Sequence, residues 1–131
     1  MSVSQPTELE LLILKVLWKQ APLTASQIRE DLAERGRDLA HTSVITMLQR
    51  MVEKNQLRQL DPQAGKAFRF APLLREEDVS RSMLGDLINR VFDGSAEAVM
   101  LRLFDVSDLD GESLKRLRRK FNQKLREKKH D

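Results

Sequence analysis

The sequence predicts a mainly α fold with one small β-hairpin, divided into residues 1–72 and residues 73–131. Three observations predict it. Apolar residues recur at helical spacing in three segments before residue 56 and in three more after residue 75. The one stretch with the alternation of a strand, Ala67-Phe68-Arg69-Phe70-Ala71, follows a turn-forming run from Asp61 to Lys66. Pro72 is expected to stop that strand, and beyond it the pattern is helical only.

Thr7-Glu8-Leu9-Glu10 is a capping box: Thr7 accepts from the third backbone amide and Glu10 reaches back. Leu9, Leu12, Ile13, Val16 and Leu17 then form one apolar stripe, and Leu11, Leu14 and Trp18 form another. A helix apolar on two sides is buried from two directions, which makes this the central helix of the first domain. It ends before Pro22, because the residue ahead of a proline resists helical backbone. Thr24-Ala25-Ser26-Gln27 is a second capping box, opening a helix with Ala25, Ile28 and Leu32 inward and Gly36 at its left-handed end. After a short linker, a third helix starts at His41 or Thr42 and runs to about Asn55, its C-terminal cap. Residues 57–60 and 67–71 form the hairpin, with its tip near Gly65, and Pro22-Leu23 offers a third, very short strand. Three helices and a hairpin in this order describe a winged helix-turn-helix domain.

The third helix has two unlike faces. Val44, Met47, Leu48 and Met51 line one side; Thr42, Thr46 and Gln49 line the other, flanked by Ser43 and Arg50. Short hydroxyls, an amide and a guanidinium hydrogen-bond base edges and phosphates in a major groove. The expected DNA-contacting set is therefore His41, Thr42, Ser43, Thr46, Gln49 and Arg50, with Lys66 and Arg69 in the hairpin, which also carries Arg58. Thr42 also suits a helix cap, whereas Thr46 sits inside the helix, where its β-branch costs propensity, and so points to function. Arg50 is expected to clamp a phosphate rather than pair with Glu53 or Glu34, since a guanidinium suits phosphate geometry. Lys66 and Arg69 either lie over the DNA backbone or keep an edge strand soluble. Ile45 is a packing residue. His41, at a helix start, is equally an ordinary surface residue, and His130 suggests nothing.

Past Pro72, Glu76-Glu77-Asp78 places negative charge at a helix start, where the macrodipole favours it. The apolar positions of three helices follow, broken at Asp93-Gly94-Ser95 and between Ser107 and Gly111. These 59 residues bury a poor core alone. Their stripes need another surface, and a second copy of the chain is the simplest. The expected dimerisation residues are Leu84, Leu87, Ile88, Val91, Val99, Leu103, Leu114, Leu117, Phe121 and Leu125. Two reading helices on one axis would match a palindromic operator. Net charge is +2 over residues 1–72, −4 over 73–109 and +5 over 110–131. Weak basicity in the first part suits a reader relying partly on hydrogen bonds. The basic tail reads as a solvated helix face, with phosphate contact as the other reading.

Other classes are disfavoured. Zero cysteines exclude disulfides and thiolate metal sites. Two distant histidines and no tyrosine leave no convincing nucleophile–base pair, and there is neither a Gly-rich phosphate loop nor metal-ligand spacing. No enzyme, metal or cofactor is expected. The start, MSVSQPTELE, is not a signal peptide, and no apolar run is long enough to span a bilayer, so a cytoplasmic protein is expected.

TELELLILKVLWK (Thr7 to Lys19), TSVITMLQRMVEKNQL (Thr42 to Leu57), FRFAP (Phe68 to Pro72) and FDGS (Phe92 to Ser95) together resemble the penicillinase-repressor family of bacterial transcription regulators, the BlaI/MecI/CopY type. The resemblance covers nearly the whole chain. It implies a homodimeric winged-helix repressor, paired through its C-terminal helices, on a palindromic promoter operator related to TACA/TGTA. The genes implied are those of antibiotic resistance or metal homeostasis. For the β-lactam branch it also implies a sensor-linked protease that cuts within the short fifth helix. Three departures stand out. The cysteine-rich copper motif is absent; Arg102-Leu103 occupies the position of the usual Asn-Phe cleavage bond; and His41-Thr42 replaces a proline and lysine common at the start of the reading helix. The inducing signal and the operator are left open accordingly. Two rival readings are a winged-helix protein-interaction module without DNA and a regulator responsive to a small molecule.

Overall fold

The computed structural model describes residues 5–129, so His130 lies outside the described residues. The elements are α1 (Glu8–Lys19), β1 (Leu23–Thr24), α2 (Ala25–Glu34), α3 (His41–Glu53), β2 (Leu57–Leu60), β3 (Arg69–Pro72), α4 (Glu76–Val91), α5 (Ala96–Val106) and α6 (Gly111–Lys129). The chain divides into two compact units, one up to Gly85 and one from Asp86.

In the first unit both capping boxes form. The Glu10 amide donates to Thr7 Oγ1 at 3.2 Å, and Glu10 Oε1 accepts from the Thr7 amide at 2.9 Å. Thr24 and Gln27 repeat the exchange at 3.2 and 2.9 Å. Ile13, Leu14, Val16 and Leu17 of α1 are buried with Ile28 and Leu32 of α2 and Val44, Leu48 and Met51 of α3. α1 is thus packed from two sides, as its double stripe requires. Gly36 turns the chain at φ +90°, and Arg29 Nε donates to the Leu39 carbonyl at 2.8 Å, tying α2 to the approach of α3.

β1 pairs with β3, and β3 with β2, all antiparallel, in the order β1-β3-β2. Helices and sheet together make the winged helix-turn-helix. Two expectations fail here. β3 covers residues 69–72 and not 67–71. Its register sets Arg69 opposite Thr24 and Leu60, the last partners on either side, so Phe68 falls outside the sheet and is 48% exposed. Pro72 does not stop the strand but sits opposite Leu57. The next pair is bonded by the Leu73 amide to the Gln56 carbonyl at 2.9 Å, which makes the Pro72 position a non-hydrogen-bonded one, so its missing N–H costs that ladder nothing.

The compact unit also passes the expected boundary at residue 72. Trp18 Nε1 donates to the Leu74 carbonyl at 2.8 Å, Gln5 Nε2 donates to the Ser82 carbonyl at 3.2 Å, and Val79 is buried, so the start of α4 is held to the first unit.

In the second unit, Asp93 (φ +51°) and Gly94 (φ +85°) take left-handed backbone at the end of α4. Ser95 Oγ then accepts from the Ala98 amide at 3.0 Å to cap α5, and an Asp110 carboxylate oxygen accepts from the Ser113 amide at 2.8 Å to cap α6. α6 contributes no buried residue.

Candidate nucleic-acid interface

α3 owes its orientation to one face and one end. Val44, Leu48 and Met51 are fully buried, which turns the opposite face outward. At the C-terminal end the Gln56 amide donates to the Met51 carbonyl at 2.9 Å and the Asn55 amide to the Val52 carbonyl at 3.1 Å, with Asn55 at φ +61°. This is the Schellman arrangement, and it passes the chain directly into β2.

His41, Thr42, Ser43, Thr46, Gln49 and Arg50 are all exposed. Ala40, not Thr42, is the N-cap of α3, and it makes no side-chain cap bond. The capping role considered for Thr42 is therefore absent. Arg50 has no ion-pair partner among the described residues, so the pairs with Glu53 and Glu34 do not form. Thr42, Ser43, Thr46, Met47 and Arg50 line one shallow depression of about 320 Å³. Gln49 and His41 are not part of it. Met47 corrects the helical-wheel assignment: it is half-buried, packed on the core yet lining this depression. Its position at the margin of the apolar stripe, between Val44 and Leu48 on one side and Ser43 and Arg50 on the other, was the available signal. Ile45 packs against the core, as its reading required.

In the hairpin, Lys66 and Arg58 are exposed near the tip and on β2. Arg69 differs from expectation. β3 is the central strand, so Arg69 does not protect an edge; it is half-buried, and its Nε is buried without a partner.

At the C-terminal end of α3, the α1 capping residue Glu10 also anchors a buried polar cluster. Glu10 Oε2 accepts from Lys54 Nζ at 2.7 Å and Oε1 from Gln56 Nε2 at 3.3 Å. Burial pushes the Glu10 carboxyl up, but hydrogen bonds from Lys54, the Thr7 amide and Gln56, with the Lys54 charge, outweigh it and hold the group below the usual glutamate range.

Of the expected dimerisation residues, Val99 is buried within the single chain and Ile88 is half-buried. Leu84, Leu87, Val91, Leu103, Leu114, Leu117, Phe121 and Leu125 are 38–62% exposed, and so are Met100, Leu101 and Phe104, which had not been singled out as dimer contacts. Arg102-Leu103 lies within α5, exposed. Among the described residues no helix is long and apolar enough to cross a membrane, and no cluster of His, Asp or Glu could hold a metal ion.

Residues 6–123 match the model of one protein family, described as penicillinase repressor. The chain belongs to the penicillinase repressor family. A "Transcriptional regulator BlaI" of Mycobacterium tuberculosis is 32% identical over 100 residues, covering 75% of this chain and 70% of the relative. The "Penicillinase repressor" of Bacillus licheniformis is 24% identical over 115 residues, covering 88% of each chain. A solved structure of Bacillus licheniformis BlaI, in monomeric form with the blaP half-operator, matches with a TM-score of 0.48 and 25% identity, over 59% of this chain and 90% of that one. Membership of the penicillinase repressor family agrees with a regulator rather than an enzyme.

Proposed function

We infer that the chain is a cytoplasmic, homodimeric transcriptional repressor that binds a palindromic promoter operator. α3 enters the major groove and offers Thr42, Ser43, Thr46 and Gln49 to base edges, with Met47 between them as an apolar contact. Arg50 and the hairpin cations Lys66 and Arg69 take phosphates, and His41 lies at the groove margin. The observation that carries this reading is the outward face of α3: its hydroxyls and Arg50 meet at one depression, and Arg50 has no ion-pair partner among the described residues. Groups so placed lack an internal role and match the chemistry of a groove wall and its phosphates. The matched relatives are named as transcriptional regulators and repressors, which supports the same reading. The exposed apolar side chains of α4 to α6, from Leu84 to Leu125, supply the dimer surface, because so many large apolar side chains left open to water call for a partner. Occupancy of the operator would exclude polymerase. A sensor-linked protease is the family's other partner, but Arg102-Leu103 in α5 departs from the usual Asn-Phe cleavage bond, so the inducing signal stays open.

The test is a gel shift with promoter fragments from the source genome at low salt, run beside sedimentation equilibrium of the free protein. Retarded fragments and a mass of two chains are expected. Indifference to every fragment, or single chains at micromolar concentration, would overturn it.

A further inference from the structure

The two elements assigned to DNA meet at a residue that faces none. The Glu10 side chain is 5% exposed. It is rooted in the first turn of α1 through the Thr7 amide. Its Oε2 holds Lys54, the C-cap of α3, and its Oε1 holds Gln56, the residue immediately before β2. The Gln56 carbonyl in turn accepts from Leu73, immediately after β3. One carboxylate thus grips the end of the reading helix and the root of the wing from a third, core-embedded helix. A buried carboxylate separated from its cation is costly, so movements of α3 that pull the Lys54 ammonium off Oε2, or Gln56 off Oε1, are penalised.

We propose that Glu10 is a positioning residue for DNA reading, fixing the angle between α3 and the β2–β3 wing through Lys54 and Gln56. This rests on the function inferred above. Base-edge hydrogen bonds tolerate displacements of only about 0.5 Å or 10–20°. Long cationic side chains follow a phosphate through larger ones. Loss of the clamp therefore removes discrimination between sequences and leaves general affinity for duplex DNA.

The chain has no cysteine, so nitroxide labels at His41→Cys and Ala64→Cys, in labelled chain diluted into excess unlabelled chain so that a dimer carries one labelled copy, report one distance, from the free end of α3 to the wing tip. With a rise of about 1.5 Å per residue, a tilt of about 10° at the pinned end moves the far end by roughly 3 Å. Glu10→Gln keeps an acceptor for the Thr7 amide and removes the charge. It is expected to shift or broaden the distance distribution by that amount and, in unlabelled protein, to cut the ratio of selected-operator to random-duplex affinity at least tenfold, with random-duplex affinity within twofold of wild type. Lys54→Met, which removes the cation from the more exposed side, gives the same result and serves if Glu10→Gln fails to fold. A purely structural role would lower the denaturation midpoint with distance and discrimination unchanged, and that outcome overturns the proposal. So does a shifted distance with discrimination intact. Wild-type protein that discriminates no duplex defeats the repressor reading itself, and the DNA role of Glu10 with it.

Discussion

Replacing Arg50 by alanine removes one cation from the reading face without disturbing an internal contact, since Arg50 is exposed and has no ion pair among the described residues. Each phosphate neutralised contributes about 0.9 to the slope of log affinity against log salt, so two copies of Arg50 in a dimer contribute about 1.8. Over a fourfold salt increase, from about 50 to 200 mM, that difference in slope amounts to roughly 12-fold in affinity. Arg50→Ala is therefore expected to weaken operator and random duplex alike, most at low salt, and to flatten the salt dependence by nearly two. Arg50→Lys keeps the charge and so most of the slope, while losing the planar fork. Fluorescence anisotropy with labelled duplexes at four or five salt concentrations measures both. An unchanged slope in Arg50→Ala would refute the phosphate role, and a loss confined to operator would reassign Arg50 to a base.

Thr46→Ala is expected to relax preference among operator variants by about 0.5–1.5 kcal/mol at one base position, the worth of a single neutral hydrogen bond; equal losses on operator and random duplex would exclude base reading there. Leu48→Ala, at a fully buried position of α3, should cost about 2–5 kcal/mol in urea denaturation, and a loss under 1 kcal/mol would mean that this face is not the core. Phe121→Glu puts a charge in the exposed stripe of α6, which has no buried residue in the single chain, so sedimentation should show monomers while helical circular dichroism persists; an intact dimer would move the interface elsewhere. Because the Glu10 carboxyl is lowered in the folded state, its contribution is complete above the ordinary glutamate value of about 4.3 and is lost as pH falls through the lower folded value. Stability of Glu10→Gln should therefore fall less than that of wild type on acidification below about pH 4.3, and parallel pH profiles would contradict the Lys54 pairing and hydrogen bonds that lower the carboxyl.

Much of the first unit was legible because its signals are local. Thr7 with Glu10 and Thr24 with Gln27 announce helix starts, and Gly36 and Asn55 announce left-handed ends. The inward face of α3 was legible from period alone, except at Met47, where a residue on the margin of the stripe is assigned by packing. What stayed hidden is long-range. The ends of β3 depend on where Thr24 and Leu60 stop pairing, and the central place of Arg69 depends on β1 joining that strand. The extension of the first unit past Pro72 depends on Trp18 reaching Leu74, 56 positions away. The contacts of Glu10 with Lys54 and Gln56 span 44 and 46 positions, and no spacing rule reports them. In the second unit the apolar positions were visible, but burial within one chain, as at Val99, cannot be told from burial by a partner on periodicity alone.

Selection of bound duplexes from a random pool by the purified full chain puts dimerisation and base reading to the test together. The account predicts enrichment of an inverted repeat whose half-sites are centred about one helical turn apart, 10–10.5 base pairs. A pool that stays random, or that converges on a single unrepeated site, would contradict it.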